Sequence, residues 1–456
     1  MARAALYAGT FFHAPIRGEV ACLEDALVEV NADGIIAAVT LADDPNAATL
    51  KREADRRGDL VRIGAGAYVL PGFVDLHIHA PQYPQLGTAL HLPLEVWLQQ
   101  HTFPLEARYA DLAFAGRVYE ALIDDLLAQG TTTALMFATV HADATRLLVD
   151  HAVAKGMRAL IGKVAMDNPD QCPDFYRDAS VDAALAGTRA VIDHARAHLD
   201  NRAGLVRPVV TPRFIPSCTD ALLGELGAMA KACGCHIQTH CSESDWEHGY
   251  VQTRMSRSDT ESLDGFGLLT RHTILAHGTL LTTTDMDRIA SRGAGVAHCP
   301  LSNVYFSNAV FPLKAALAKG LRVGLGTDIA GGPSASMFDT ARMAVAASRL
   351  LDEGVDPAKD QASRGTPGVR IDWQTAFHLA TAGGAAALDL PVGTFEPGRA
   401  FDAMVIDTAA KAGTVRLFDE VDDSVSILQK ILFTASRTNV RQVFVQGRAV
   451  AGTARA

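Results

Sequence analysis

Two histidines, His77 and His79, close the run Pro71-Gly-Phe-Val-Asp-Leu-His-Ile-His79 at the end of an apolar, β-favouring stretch. Successive side chains of a strand alternate sides, so both imidazoles face one way while Ile78 packs into the opposite layer. Taken alone, a His-x-His pair binds metal, packs in a core or faces solvent. Three further polar residues stand at the same kind of place. His240 ends Cys235-His-Ile-Gln-Thr-His, His277 ends Thr273-Ile-Leu-Ala-His, and Asp328 ends Val323-Gly-Leu-Gly-Thr-Asp. A core histidine satisfied by backbone would account for His277, and a helix N-cap would account for Asp328. Neither explains why all five groups fall at the ends of apolar runs. Imidazoles and a carboxylate suit Zn²⁺ or Fe²⁺, with a position left open for water. An ion so held lowers the pKa of that water toward neutrality and makes a hydroxide nucleophile available. Glu243, three residues past His240, can fold back over the same rim and reach a substrate without touching the ion, which suits general acid/base catalysis. A glutamate in such a loop otherwise caps a helix or faces water.

These residues need a scaffold that presents strand ends on one rim. Eight apolar runs alternate with Ala/Leu-rich helical segments: 68–77, 131–137, 159–165, 206–211, 235–240, 273–277, 295–298 and 321–327. The pattern predicts an α/β fold of the TIM type, a (β/α)8 barrel over residues 69–389, whose chemistry lies at the C-terminal ends of its strands. Segments 1–68 and 390–456 read as short strands with Gly-based turns, among them 401–407 and 442–451. They are expected to pair as a small composite β-sandwich domain. Two connectors are long, 80–111 and 352–372. The first leaves directly from the histidine pair and is the expected lid, and the second a solvated surface excursion.

Bulk properties exclude several classes. Of 456 residues 48% are hydrophobic and 20% charged, ordinary for a globular enzyme and far from a disordered chain. The net charge of -10, with no dense Lys/Arg stripe, makes nucleic acid a poor partner. No apolar stretch is long enough to cross a bilayer and no signal-like segment opens the sequence, so no membrane association and a cytoplasmic location are expected. Seven scattered cysteines fit reduced thiols. Cys233-Gly-Cys235 lacks the matching second pair of a zinc site and reads as small residues leading into a strand. A homodimer is the expected assembly.

The motifs also resemble a known family. Pro71 to Gln82, Trp97-Leu98 with Thr102-Phe-Pro104, Thr211-Pro-Arg-Phe214, His240-Cys-Ser-Glu243, Ala276-His-Gly278, Ala297-His-Cys-Pro-Leu-Ser-Asn303 and Gly324 to Gly332 are together similar to the amidohydrolase superfamily and, within it, to the guanine deaminase family. The narrower likeness rests on His79-Ala-Pro-Gln82, Pro212-Arg-Phe214 and Thr102-Phe-Pro104. The resemblance implies that His77, His79, His240 and Asp328 hold one zinc, with His277 beside the attacking water. Binuclear members use a carboxylated lysine or a glutamate from the fourth strand; here that strand ends Val209-Val-Thr-Pro-Arg-Phe214, so one metal per subunit is expected. Lys163 is then structural or a distant support, and His298 supports the site without an assigned contact. The expected substrate contacts are Gln82, Arg213, Phe214 and His240. Arg213 is a fixed-charge donor for a ring carbonyl, Gln82 offers a donor and an acceptor to a purine edge, and Phe214 stacks on the flat ring. Tyr83, Trp97 and Phe103 are candidate pocket walls.

The implied activity is that of a hydrolase acting on C–N bonds in cyclic amidines, in purine catabolism. Asp328 takes a proton from water, hydroxide attacks C2 of guanine, Glu243 protonates a ring nitrogen, and ammonia leaves xanthine behind. The alternatives are an amidohydrolase acting on a pterin, 8-oxoguanine, cytosine or a chlorinated triazine, and, in another class, a non-catalytic barrel scaffold. Cys241-Ser-Glu243 and Tyr305-Phe-Ser depart from the family's usual letters and leave room for a shifted preference. The deaminases built on His-x-Glu and Pro-Cys-x-x-Cys are excluded, because the chain has no Pro-Cys-x-x-Cys.

Overall fold

The computed structural model describes residues 4–307 and 309–452. Residues 1–3, 308 and 453–456, which fall inside the segments assigned above, lie outside the described residues. Five strands come first: β1 (Ala5–His13), β2 (Ala21–Val30), β3 (Ile36–Thr40), β4 (Leu60–Arg62) and β5 (Ala67–Pro71). The barrel strands follow: β6 (Phe73–His79), β7 (Thr131–Phe137), β8 (Arg158–Gly162), β9 (Val164–Ala165), β10 (Val206–Pro212), β11 (His236–Cys241), β12 (Thr273–His277), β13 (Gly295–His298) and β14 (Arg322–Leu325). Three more close the chain: β15 (Ala403–Asp407), β16 (Val440–Val445) and β17 (Arg448–Gly452).

Strands β6, β7, β8, β10, β11, β12, β13 and β14 pair in that order, all parallel. The ring joins through the loop after β14, where the Asp328 N–H donates to His77 O and the His79 N–H to Ile329 O, each at 2.8 Å. Inside it, Val74, Leu76, Leu135, Leu160, Val209, Ile274 and Ala297 form one apolar cluster with side chains near Ala385–Val392, so the axis is packed core. Outside it, helices cover the strands. Asp111 caps the helix Leu112–Ala128 by accepting from the Ala113 and Phe114 N–H groups. Its buried residues Ala115, Tyr119, Leu122, Ile123 and Leu126 recur every three or four positions and meet Ile78, Ala134 and Met136.

The two ends of the chain form one mixed sheet in the order β17-β16-β15-β5-β1-β2-β3, with β4 also on β1. The expected pairing of the terminal pieces is the antiparallel match of β15 with β5, Met404 opposite Leu70. Ile36 on β3 and Phe444 on β16 share one cluster with Tyr7, Phe11 and Phe401, so the sheet closes around its own aromatic core. Gln446 and Gly447 both take positive φ, 47° and 70°, the geometry of the two-residue turn that joins β16 to β17. An ion pair ties this sheet to the barrel: Arg158 on β8 donates to Asp402 from Nε at 2.9 Å and Nη2 at 3.1 Å. Both residues are buried, so removing one partner alone costs on the order of 3–5 kcal/mol.

Two expected runs turn out divided. The apolar stretch 68–77 breaks at Gly72 into β5, which belongs to the terminal sheet, and β6, which opens the barrel. Continuous apolarity serves either sheet equally well, so the pattern does not mark the crossing. The run 159–165 breaks at Lys163 into β8 and β9. The connector 80–111 carries short helices, and 352–372 is a largely exposed excursion with one four-residue helix, Gln361–Arg364. No helix among the described residues is long and apolar enough to cross a membrane.

Candidate active site

The C-terminal ends of β6, β11, β12 and β14 bring together His77, His79, His240, His277 and Asp328. On β6 the pairing register slips between Asp75 and Ile78, a bulge of the kind that re-aims side chains beside active sites. It lets Leu76 fill the barrel core and still leaves His77 and His79 facing the axis. Gly326 makes room beneath them: a Cβ there would meet the His77 Cβ at 2.9 Å and the Cys299 Sγ at 3.0 Å. Ser242, His277 and Asp328 all hold positive φ, 49°, 73° and 50°, strained for residues with a Cβ at about 1–3 kcal/mol each. The strain sits where three strands turn toward one point.

At that point the donor atoms crowd. His79 Nε2 is 3.0 Å from His240 Nε2, and Asp328 Oδ1 is 3.1 Å from His77 Nε2 and 3.7 Å from His79 Nε2. His277 Nε2 lies 3.9 Å from Asp328 Oδ2. The tautomers follow from the outer contacts. The His240 Nδ1–H donates to Arg213 O at 2.6 Å and the His277 Nδ1–H to Asn303 Oδ1 at 2.9 Å, which leaves both Nε2 lone pairs pointing inward. Burial, before anything else, pushes the pKa values of His77, His79 and His240 well down, with neighbouring imidazoles and Arg213 adding to it. Neutral, inward lone pairs are what a cation needs.

Two readings left open by the sequence are resolved by geometry. Glu243 does not cap the next helix; Ser244 does, its hydroxyl accepting the Glu247 N–H at 3.2 Å. Asp328 caps no helix either, since its carboxyl points at the imidazoles. Glu243 is held by its backbone, with its N–H donating to Glu247 Oε2 at 2.6 Å and its carbonyl accepting from the Thr279 hydroxyl at 2.5 Å. The Glu243 carboxyl reaches to 3.6 Å from His277 Nε2. Burial raises its pKa well above the usual carboxylate range, and the nearby Asp328 raises it further. Asp328 is raised too, again by burial, with His277 opposing.

A cavity opens beside this cluster, lined by Gln82, Arg213, Phe214, His240, Glu243 and Asp328. It is narrow, walled by Trp97 and Phe306, whose rings lie 5.1 Å apart. Flat, largely apolar walls with a few convergent polar groups describe a small-ligand site. The expected wall residues divide. Trp97 lines the cavity, whereas Tyr83 donates its hydroxyl to Asp125 at 3.2 Å on the helix side, and Phe103 lies under the Arg213 guanidinium at 5.0 Å.

The chain matches the amidohydrolase family model over residues 68–450. It is 35% identical to the human guanine deaminase across 453 residues, 98% of this chain and 96% of that protein. The chain belongs to the amidohydrolase family, within its guanine deaminases. The crystal structure of the guanine deaminase from C. acetobutylicum with bound guanine superposes with a TM-score of 0.87 at 28% identity, covering 98% of this chain and all of that one. An adenosine deaminase from Xanthomonas campestris with bound zinc gives 0.79 at 25% identity, covering 98% and 92%.

As an amidohydrolase, the protein has a cluster that fits a divalent cation on its own chemistry. His77 Nε2 and His277 Nε2 are buried with no hydrogen-bond partner among the described residues, and each such atom otherwise costs about 1–3 kcal/mol. Ligand atoms about 2.0–2.1 Å from one zinc stand roughly 3.4 Å apart, close to the separations above. Among the described residues three overlapping sets satisfy the spacing: His77 with His240 and His277, His77 with His79 and Asp328, and Glu243 with His277 and Asp328. Lys163 is not among them. Its ammonium is buried against Asp178 at 2.7 Å and Val164 O at 3.0 Å. His298 packs beside Phe311 at 5.2 Å, and burial lowers its pKa to about 3.

Sequence reasoning missed several residues of this amidohydrolase site. Asp75 accepts from the Thr327 N–H at 3.0 Å, the Thr327 hydroxyl at 2.5 Å and the His77 N–H at 3.2 Å, locking β6 to the end of β14. Its signal was an acid inside an apolar run. Asn303 orients His277. Glu106, on the helix Phe103–Ala107 of the first connector, meets Arg213, Gln82 and Tyr176; nothing local marks it.

Proposed function

We propose that the protein deaminates guanine hydrolytically to xanthine and ammonia with one zinc ion per subunit, Fe²⁺ being the other ion its donors suit. The observation that carries this reading is that Arg213 and Gln82 face the same narrow cavity as Glu243, Asp328 and the imidazoles. The bound guanine of the C. acetobutylicum relative and the zinc of the X. campestris one support it. His77, His79, His240 and Asp328 would hold the ion. When bound, it supplies the Lewis acidity that brings a water's pKa near neutrality.

The chain's own groups supply the rest. Two of the five Arg213 N–H donors are engaged, so others remain for the purine carbonyl. Gln82 donates one amide hydrogen to Glu106 and accepts from the Ala330 N–H, which leaves one donor and one acceptor for the ring edge. Phe214, with Trp97 and Phe306, confines a planar ring. Asp328 accepts a proton from the attacking water, beside His277. Glu243, whose pKa burial raises, hands a proton to a ring nitrogen as C2 becomes tetrahedral; the amine takes the proton from Asp328 and departs as ammonia while the new C2 hydroxyl returns a proton to Glu243. Two carboxyls whose surroundings fit them to opposite tasks are the expected acid/base pair. The assembly and compartment expected above, a cytoplasmic homodimer serving purine catabolism, belong to the same proposal, as does a barrel domain of residues 69–389 between terminal β segments.

Replacing Arg213 by Met tests the substrate edge. A charge-assisted hydrogen bond contributes roughly 1.5–3 kcal/mol, so kcat/KM for guanine should fall about 10- to 150-fold. Unaltered guanine kinetics in a folded Arg213→Met protein would remove the purine assignment.

A further inference from the structure

The two side chains that face the substrate edge share one anchor, and that anchor is sealed from the cavity. Glu106 is fully buried. Its Oε1 accepts from Gln82 Nε2 at 2.8 Å and Arg213 Nη2 at 3.2 Å, and its Oε2 from Arg213 Nη1 at 2.7 Å and the Tyr176 hydroxyl at 2.6 Å. Four donors fill the four acceptor positions of a carboxylate. Every partner donates, so the group carries a negative charge, and it has no capacity left for a ligand. Phe103, one turn earlier on the same short helix, lies beneath the guanidinium at 5.0 Å. Burial works against the Arg213 charge, and Glu106 more than offsets it, leaving the guanidinium more firmly protonated than usual.

We propose that Glu106 is a positioning residue that sets the charge selectivity of the purine pocket, making it accept neutral guanine and discriminate against the anion of its own product. The inference rests on the reading that Arg213 and Gln82 face the purine. A bidentate carboxylate fixes the plane of the guanidinium, and the bond from Gln82 Nε2 holds the Gln82 amide in one orientation beside it. The carboxylate also cancels the guanidinium charge. The pocket therefore keeps donors for a ring carbonyl yet offers an anion no net attraction from that wall, while Glu243 and Asp328 line the same cavity. Guanine is uncharged near neutrality. Exchanging its amine for an oxo group makes the ring N–H groups more acidic, so in mildly alkaline solution much of the product is an anion. A pocket with an unpaired arginine would retain that anion; a paired one releases it.

The test uses the metal-loaded full-length protein and two competitive inhibitors in mildly alkaline buffer. Hypoxanthine is uncharged and carries the same carbonyl edge, and xanthine is largely anionic. For the unaltered protein, xanthine should bind about tenfold more weakly than hypoxanthine. In Glu106→Gln, which keeps the shape and removes the charge, the guanine KM should rise about tenfold with kcat changed far less, and the gap between the inhibitors should shrink about tenfold. Tyr176→Phe spares the ion pair and should move both inhibitors together. Xanthine binding the unaltered protein as tightly as hypoxanthine overturns the inference, whether or not the Glu106 variant folds. A folded Glu106→Gln protein whose gap is unchanged reduces Glu106 to a structural role. Arg213→Met, assayed alongside, separates the failures. If it leaves guanine kinetics untouched, the purine-edge reading itself falls; if it raises KM while the gap in Glu106→Gln stays put, only the present inference falls.

Discussion

Glu243→Gln should bind its metal normally and lose turnover, with kcat for guanine down by about 10²–10⁴ and KM within a few-fold. The substitution keeps the size and the backbone anchors, the Glu247 and Thr279 contacts to the main chain. It removes a cavity carboxyl whose pKa burial raises well above the usual carboxylate range. Without that proton the ring nitrogen must gain negative charge as water adds at C2, a step whose cost rises inside a closed, low-dielectric cavity. Metal content measured on the same preparation separates a lost acid from a lost ion. Full turnover in Glu243→Gln would remove this residue from the chemistry and leave Asp328 to carry both proton transfers.

Stripping the metal should be just as severe. Chelation is expected to bring ammonia release down to the background rate, and Zn²⁺ should restore it, because water that no cation activates has a pKa of about 15.7 instead of about 7. The same treatment should lower the melting temperature, since an ion that binds only the folded chain stabilises it by mass action. The orphaned Nε2 atoms of His77 and His277 would then be buried without a partner. Elemental analysis should give about one ion per chain before chelation and recovery of activity in proportion to zinc returned. Undiminished deamination in a sample with far less than one ion per chain would break the link between the cluster and the reaction. Slow release is recognised by metal that persists through chelation.

Much of this site was legible because strand ends are local. His77, His79, His240, His277 and Asp328 each stop an apolar run, and a polar group at such a position needs a reason visible in the sequence. The barrel followed from the eight runs, and the pairing of the chain ends from their strand-like texture. What escaped depends on distance. Glu106 and Arg213 are 107 positions apart, and no pattern near either announces the other. Gln82 and Arg213 could be read as substrate contacts, yet not that half of Gln82's capacity is spent on Glu106 and Ala330. Gly72 was invisible as a boundary because β5 and β6 are equally apolar and differ only in the sheet they join. The bulge on β6 was hidden for a related reason: alternation predicted that His77 and His79 face one way, but not that Leu76 does so too. Tyr83 was misplaced as a wall, since an aromatic in a connector packs wherever its hydroxyl finds a partner, here Asp125.

The most direct measurement is ammonia release across guanine, 8-oxoguanine, isoxanthopterin, cytosine and adenine, with the zinc-loaded protein at matched concentrations. Guanine should lead the others in kcat/KM by at least about tenfold, a margin one well-made polar contact supplies, and its other product should be xanthine. A different heterocycle turned over faster, or no ammonia from guanine by protein carrying its ion, would contradict the proposed chemistry of the cavity.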